Sequence, residues 1–255
     1  MAHREQLGAG KPWCAWWLVL ASLACALAPA SGIAQPRRVI LWAWERPEDL
    51  RFLTPHQAEV SFLAATVELT EEGFSVLPRR QPLHLPAGLR PRATVRIEMR
   101  RGASLAHVSP ELRRQVAERV LAIVRKVKAV ALQIDFDARE SEYEAYLALL
   151  GELRGLLPEG LPLSITALAS WCVPGGWLPR APVDEVVPQL FRMGPEGAAH
   201  HARALRGFEP PCDRGVGLAL DEWRAPPADV SVIYLFNPRP WTAAAFTEAL
   251  SRVHP

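Results

Sequence analysis

The sequence predicts an α/β protein with a compact (β/α)8 barrel of the TIM type, in which some helices are missing or replaced by loops and a hairpin. Three observations support this prediction. About eight strand-like segments recur along the chain, helical segments lie between several of them, and polar side chains recur on one face of the strands. An open α/β sheet is the alternative architecture.

The strand-like segments extend from residue 38 almost to the C-terminus. Each is a short run rich in Val, Ile, Leu and aromatic residues and is bounded by turn-forming residues. They lie at 38–44, 59–69, 93–99, 129–137, 161–168, 185–191, 215–220 and 230–236. Strands that alternate with helices indicate a parallel sheet.

Helices are predicted after four of these strands. The first has Ser109 as its N-cap residue and Pro110 at its first position, which are the residue types preferred there. For the second, we expect Ser141 and Glu144 to form a capping box. The other two are predicted within 195–208 and 241–253.

Two connections do not fit a regular alternation of strand and helix. Segment 70–92 is predicted to form a hairpin and a proline-rich loop. Segment 170–184 is too short and too rich in proline and glycine for a full helix. The barrel is therefore expected to be compact and to lack some of its helices.

The first 34 residues have the order of a secretory signal peptide: a weakly basic start, an apolar run at 12–28 and small residues before Gln35. Cleavage is predicted after Ala34, with Ala30 as second choice, which leaves one domain at 35–255. An uncleaved anchor and a lipid on Cys25 fit the sequence less well. We therefore expect an exported, periplasmic or extracellular monomer that meets the membrane only through this segment.

Loss of the signal peptide would remove Cys14 and Cys25 and leave Cys172 and Cys212. An isolated pair of cysteines in an oxidising compartment favours a disulfide. Two separately buried thiols are the alternative.

Composition and motifs argue against several functions. The formal net charge is only +2, and the short basic run at 125–128 lies at the end of a predicted helix, so nucleic-acid binding is not expected. No P-loop, dinucleotide-binding glycine motif or G-x-S-x-G motif occurs in the sequence. His200 and His201 are adjacent on a predicted helix and face different directions, so we expect no metal site and no cofactor.

The strand at 129–137 carries two aspartates in an apolar run. With a period of two, Leu132 and Ile134 share one side, while Gln133, Asp135 and Asp137 share the other. The strand at 93–99 repeats the pattern, with Thr94, Arg96 and Glu98 on one side. In a barrel covered by helices the polar sides face the lumen, where Arg96 and Arg100 are the expected partners of the carboxylates.

Polar residues and tryptophans gather near the C-terminal ends of the predicted strands, where barrel enzymes build their sites. All six tryptophans beyond the predicted signal peptide lie there: Trp42, Trp44, Trp171, Trp177, Trp223 and Trp241. Indole rings suit the apolar faces of sugars, and charged groups suit their hydroxyls. The predicted substrate-binding residues are Trp44, Glu45, Arg96, Gln133, Trp171, Arg192, Asp221, Trp223 and Asn237.

Four blocks of sequence, at 44–53, 132–138, 183–194 and 234–241, resemble an exported bacterial family defined only as domain of unknown function three-one-four-two. The resemblance extends over nearly all of the chain after the predicted signal peptide. It implies no activity, but it groups Trp44, Glu45, Arg46, Gln133, Asp135, Asp137, Arg192, Asn237 and Arg239 together.

A more distant resemblance is to the family-eighteen chitinases, which end the fourth strand of a barrel with D-G-x-D-x-D-W-E. Asp135 and Asp137 align with the last two aspartates of that motif, whereas Leu132 stands at the first and Arg139 at the general acid. The resemblance therefore supports the architecture and leaves the mechanism without its usual acid.

These features predict an exported glycoside-hydrolase-like barrel that acts on a polysaccharide. In the catalytic version, Asp137 or Glu98 is the general acid, and Asp135 orients or stabilises the reacting groups. The competing function is a non-catalytic carbohydrate-binding or envelope-assembly protein on the same barrel. In both cases the expected partner is a carbohydrate.

Overall fold

The computed structural model describes residues 37–54 and 56–254. The predicted signal peptide lies outside these residues. Among the described helices, none combines the length and the apolar character that crossing a membrane requires.

Eleven strands are present in the described part of the chain. They are β1 (Arg38–Ala43), β2 (Glu48–Asp49), β3 (Glu59–Leu69), β4 (Phe74–Pro78), β5 (Leu83–His84), β6 (Arg92–Met99), β7 (Leu132–Asp135), β8 (Leu163–Leu168), β9 (Glu185–Gln189), β10 (Gly215–Ala219) and β11 (Val232–Phe236). All eight strands predicted from the sequence are among them.

Eight of these strands form a closed parallel barrel in the order β1, β3, β6, β7, β8, β9, β10 and β11. The barrel closes because β1 pairs in parallel with both β3 and β11. Outside it, β4 pairs antiparallel with β3, and β2 pairs with β5. The predicted barrel is confirmed, and its closure excludes the open sheet.

Four α-helices accompany the barrel strands in the described residues. These helices are α1 (Pro110–Lys126), α2 (Tyr143–Leu156), α3 (Gly197–Leu205) and α4 (Ala243–Val253). Ser109 caps α1 as predicted, with its hydroxyl accepting from the Leu112 N–H at 3.2 Å. The hairpin predicted after residue 69 is the β3–β4 pair, and 170–184 contains only short 3₁₀ turns.

The start of α2 differs from the prediction. Ser141 and Glu144 form no capping box there, and Glu144 instead pairs with Arg180 on the surface. Glu142 stands at the N-cap position, but its side chain makes no capping hydrogen bond to α2 and is buried, since Glu142 is 1% exposed. Its carboxylate accepts from Arg139 N at 2.8 Å, Ser104 Oγ at 2.9 Å and Leu105 N at 2.9 Å. Two of these donors belong to the β6–α1 loop, so a contact between loops overrides the local capping signal.

The strands separate two layers of side chains, as the period-two pattern predicts. On the outer face, Leu132 and Ile134 of β7 belong to the same apolar layer as Val120 of α1. On the inner face, Gln133 is fully buried in the lumen, where it accepts a hydrogen bond from Trp42 Nε1 at 2.7 Å. The polar side of β7 therefore faces the lumen.

Trp42 fills the middle of the lumen. A Cβ atom at Gly217, on β10, would lie only 2.7 Å from the Trp42 ring, so the absence of a side chain there makes room for the indole. The Trp42 ring also packs against Tyr234 at a centroid distance of 5.2 Å.

Charged residues close the lumen near the N-terminal ends of the strands. Arg92 lies 3.3 Å from Glu59 and 3.6 Å from Glu185, and the Tyr234 hydroxyl donates to Glu185 at 2.6 Å. We call these four residues the base network.

Cys172 and Cys212 form a disulfide with a Cα–Cα distance of 6.0 Å. The predicted pairing is confirmed, and the alternative of two buried thiols is excluded. The bond joins the segment after β8 to the segment before β10.

Candidate functional site

A cleft of about 470 Å³ opens at the C-terminal ends of the barrel strands. We call it the mouth cleft. Its aromatic lining consists of Trp42, Trp44, Phe191 and Phe236. Phe191 and Phe236 stack with their centroids 5.8 Å apart, and Trp44 meets Phe236 edge-on at 6.3 Å. These rings provide the apolar surface that a sugar ring requires.

The loop that carries Trp44 is held in place by Arg79, which lies just after β4. The Arg79 guanidinium donates to the carbonyl oxygens of Ala43 at 3.2 Å, Trp44 at 2.5 Å and Arg46 at 2.5 Å. Burial lowers the pKa of Arg79. Because one side chain holds three successive parts of the loop, it fixes the backbone from which Trp44 extends.

Two carboxylates lie on the β7 side of the mouth cleft. Asp135 is the last residue of β7 and is only 9% exposed. It accepts a hydrogen bond from the Thr166 hydroxyl at 2.7 Å, and Arg96 Nε lies 3.9 Å from its other oxygen. Asp137 follows two residues later and is exposed.

Both aspartates hold their protons more tightly than ordinary carboxyl groups. Burial raises the pKa of Asp135, against the Thr166 hydrogen bond and the Arg96 charge, and the nearby Asp137 raises it further. Partial burial also raises the pKa of Asp137, and Arg96 opposes this shift. A carboxyl group that retains its proton toward neutral pH can act as a general acid.

Glu98 lies outside the mouth cleft but close to it. It pairs with Arg96 at 2.8 Å and lines an adjoining cavity of about 260 Å³. Arg96, Asp135 and Asp137 line both cavities, so the two aspartates lie at the junction between them.

Arg192 also lies in the mouth cleft, in the loop between β9 and α3. Its guanidinium stands over the Phe236 ring at 5.5 Å, and its backbone N–H donates to Glu222 at 2.9 Å. His200 of α3 lines the same wall and is 8% exposed, with its Nε2 atom 3.5 Å from Glu196.

Three predicted binding residues lie outside the mouth cleft near β1, β7 and β8. Glu45 accepts from the backbone N–H groups of Arg80 at 3.0 Å and Gln81 at 3.2 Å, so it holds a loop. Gln133 lies deeper in the lumen. Trp171 is 5% exposed and packs against Trp177 with a centroid distance of 5.2 Å.

The other three lie outside it near β10 and β11. Asp221 and Asn237 line a separate cavity of about 230 Å³. Trp223 lies under Arg252, whose guanidinium is 5.6 Å from the indole ring. The structure therefore brings together Trp44, Arg96, Asp135, Asp137 and Arg192 from the predicted set.

Several cleft residues were not among the predicted site residues: Thr166, Gln189, Phe191, His200 and Phe236. Thr166 could have been found, because it shares the polar side of β8 with Ser164. Phe191 and Phe236 also lie at strand ends. The prediction considered only charged residues and tryptophans there, so it did not include these phenylalanines.

In residues 37–54 and 56–254, no group of three His, Cys, Asp or Glu side chains could hold a metal ion.

The sequence pattern of a family described as domain of unknown function (DUF3142) matches residues 90–190. This match confirms the resemblance for the part of the chain that includes β6 to β9. The blocks at 44–53 and 234–241 lie outside the matched residues. No protein of curated function matches the sequence.

Among solved structures, the chain is similar to a fungal endo-β-N-acetylglucosaminidase from glycosyl hydrolase family 18, with a TM-score of 0.57 and 10% identity. The likeness covers 85% of this chain and 96% of the other. A family GH18 chitinase from Chromobacterium violaceum has a TM-score of 0.50 and 8% identity, covering 86% and 84% of the two chains. At these identities the comparison shows a shared fold, a barrel like that of glycoside hydrolases.

Proposed function

We propose that this protein is an exported glycoside hydrolase that cleaves a polysaccharide bound in the mouth cleft. The observation that carries the proposal is the placement of Asp135 and Asp137, two carboxyl groups with raised pKa values, beside a cleft lined with aromatic rings. The glycoside hydrolases with the same fold support the choice of reaction.

Asp137 is the better candidate for the general acid. It is exposed, so its carboxyl group is accessible to a glycosidic oxygen, and its raised pKa keeps it protonated to a higher pH. Proton transfer from Asp137 to that oxygen accompanies cleavage of the bond to the anomeric carbon. A water molecule then adds to this carbon and returns a proton to Asp137, so the enzyme is regenerated.

Asp135 has a supporting role in this reaction. Burial raises the pKa of Asp135, and above that pKa the Thr166 hydroxyl and Arg96 both stabilise its ionised form. A carboxylate held in this way stabilises the positive charge that develops on the sugar ring. Trp44 supplies a surface for the apolar face of the bound sugar.

The competing function is carbohydrate binding without catalysis. It is favoured by the residues that follow β7. Arg139 occupies the place where the chitinase motif has its acid, and the carboxylate of Glu142 is buried and fully engaged with three donors. The two functions differ in whether Asp137 transfers a proton.

The test uses a glycan array, followed by a reducing-end assay on every glycan that binds. We expect Asp137→Asn to lower hydrolysis by about 10²- to 10⁴-fold, the usual contribution of a general acid, while binding is retained. Asp135→Asn should cost less. Glu140→Gln is the matched control, because Glu140 is an exposed carboxylate near the same strand that lies outside both cavities.

Binding without cleavage by the wild-type protein would favour the carbohydrate-binding function. Loss of folding in both aspartate variants, with no glycan bound by the wild type, would show that the aspartates are only structural.

Export is tested separately from catalysis. The proposal expects the exported protein to begin near Gln35, which an intact-mass measurement determines directly. A mass that retains residues 12–28, or that includes a lipid on Cys25, would contradict cleavage after Ala34.

A further inference from the structure

Arg192 is held in an unusual backbone conformation. Its φ angle is +51°, in the left-handed region that residues with a side chain rarely adopt. The hydrogen bond from its N–H to Glu222 and the contact of its guanidinium with the Phe236 ring fix it from both ends. Strain of this kind persists where the surroundings impose it, and it is frequent at binding sites.

The guanidinium of Arg192 has no carboxylate partner among the described residues within 4.0 Å. Two other arginines provide a comparison. Arg46 lies 5.8 Å from the same Phe236 ring but pairs with Glu48 at 2.7 Å. Arg96, the other arginine of the mouth cleft, pairs with Glu98 at 2.8 Å. Arg192 thus has a fixed position and an unused capacity to bind an anion.

His200 adds a second polar group to the same wall. The side chain of His200 is 11% exposed, and its Nδ1 atom has no hydrogen-bond partner in the part of the chain that the structure describes. The carboxylates of the mouth cleft come from β7 and its following loop, whereas this wall comes from the β9–α3 loop and α3. The cleft therefore has Asp135 and Asp137 on its β7 side and Arg192 and His200 on its β9–α3 side. Glu196 and Glu222 contact His200 and Arg192 but do not line the cleft.

We propose that Arg192 binds a carboxylate carried by the glycan, and that the ligand is an acidic polysaccharide. The inference rests on the proposed function and specifies its ligand. A planar guanidinium pairs with a carboxylate through two parallel hydrogen bonds, which fixes both distance and orientation. Such a carboxylate can be the C6 group of a uronic acid or the acid of a lactyl ether on an amino sugar.

The raised pKa of Asp137 is consistent with an acidic ligand. A carboxyl group that retains its proton does not repel an anionic sugar beside it. Arg96 further offsets the charge of the aspartates.

The experiment measures binding of the full-length exported protein to acidic and neutral glycans. A glycan array first compares both classes, and calorimetry then uses oligomannuronate, a muramic-acid glycan fragment and the carboxyl-reduced form of each. We expect about 10- to 100-fold tighter binding of an acidic glycan than of its reduced form, as for a hydrogen bond to a charged group. The two acidic probes distinguish the two sources of the carboxylate.

Arg192→Gln should abolish this preference, because it should lower the affinity for the acidic glycan about 10- to 100-fold more than the affinity for the reduced glycan. Arg252→Gln is the control, because Arg252 also stacks on an aromatic ring but lies outside the mouth cleft. Equal affinity for acidic and reduced glycans, or a preference that survives in Arg192→Gln, would overturn the inference while leaving the proposed function intact. Absence of binding to any glycan would overturn both.

Discussion

The two ends of the barrel lumen differ in how completely their charged side chains are paired. In the base network, Arg92 lies near two glutamates, and Tyr234 donates to one of them. In the mouth cleft, Asp137 is exposed and Arg192 has no carboxylate partner in the described residues. Trp42 lies between the two ends.

The difference shows which charges hold the barrel together and which remain free to act. Burial of an ionised group costs energy unless partners compensate it. At the base the partners come from neighbouring and facing strands, so the charges stabilise one arrangement of the barrel. At the mouth the compensation is incomplete, which raises the pKa values of both aspartates. Incomplete pairing therefore distinguishes the mouth cleft, where we propose that the glycan binds, from the base.

The largest loss of stability is expected from disrupting the base network. Arg92→Met leaves Glu185 partly buried without its cation, and the free energy of unfolding should fall by about 3 kcal/mol, in the range found for disrupted buried pairs. Urea denaturation measures it. Arg38→Met is the control: Arg38 pairs with Glu59 but is 55% exposed, so its loss should cost less than about 1 kcal/mol. Equal losses in the two variants would show that the base network has no special role.

A smaller loss of stability is expected at Gly217, in the middle of the lumen beside Trp42. Gly217→Ala places a methyl group against the Trp42 ring, and the overpacking should cost about 2 kcal/mol and alter tryptophan fluorescence. Gly151→Ala is the control, since no atom lies within 4 Å of a Cβ there and the site is helical. That variant should be more stable by about 0.5–1 kcal/mol. A Gly217→Ala variant as stable as the wild type would show that the side chains in the lumen shift easily to accept the methyl group.

The smallest change in stability is expected at Asp135 in the mouth cleft, and it depends on pH. The folded protein raises the pKa of Asp135, so it retains this proton at pH values where the unfolded chain has released it. Stability from this group is therefore complete below the unfolded pKa of about 4 and falls as pH rises through the folded pKa.

Asp135→Asn has no proton to lose. The free energy of unfolding of this variant should equal that of the wild type below pH 4. As pH rises, the variant should become the more stable of the two, which thermal unfolding at several pH values measures. A relative stability that falls with pH would show that Thr166 and Arg96 dominate over burial.

The eight barrel strands could be predicted because their signals are local. The alternation of Leu132, Gln133, Ile134 and Asp135 fixes which side faces the helices, and Ser109 followed by Pro110 marks a helix start. Glu142 shows the limit of local signals. Its role depends on Ser104 and Leu105, almost forty residues earlier in the chain.

The composition of the mouth cleft was harder to predict than the strands. The sequence predicts that every tryptophan after residue 34 lies near a strand end, yet Trp171 and Trp241 are 5% and 3% exposed because neighbouring segments cover them. Trp241 even donates to the Trp42 carbonyl at 3.1 Å. The period of a strand assigns a residue to a face, but the path of the loops decides whether it remains open to a ligand.

The pairing of β1 with β11 has a consequence for the order of events during synthesis. Arg38 pairs with Val232, so the first strand of the barrel cannot complete its pairing until the last strand is present. Contacts between such distant residues form slowly, because a long segment of chain must be ordered before they are gained. Until residues 232–236 are available, β1 and β10 both lack the strand that joins them. We infer that the barrel closes only after β11 has been made.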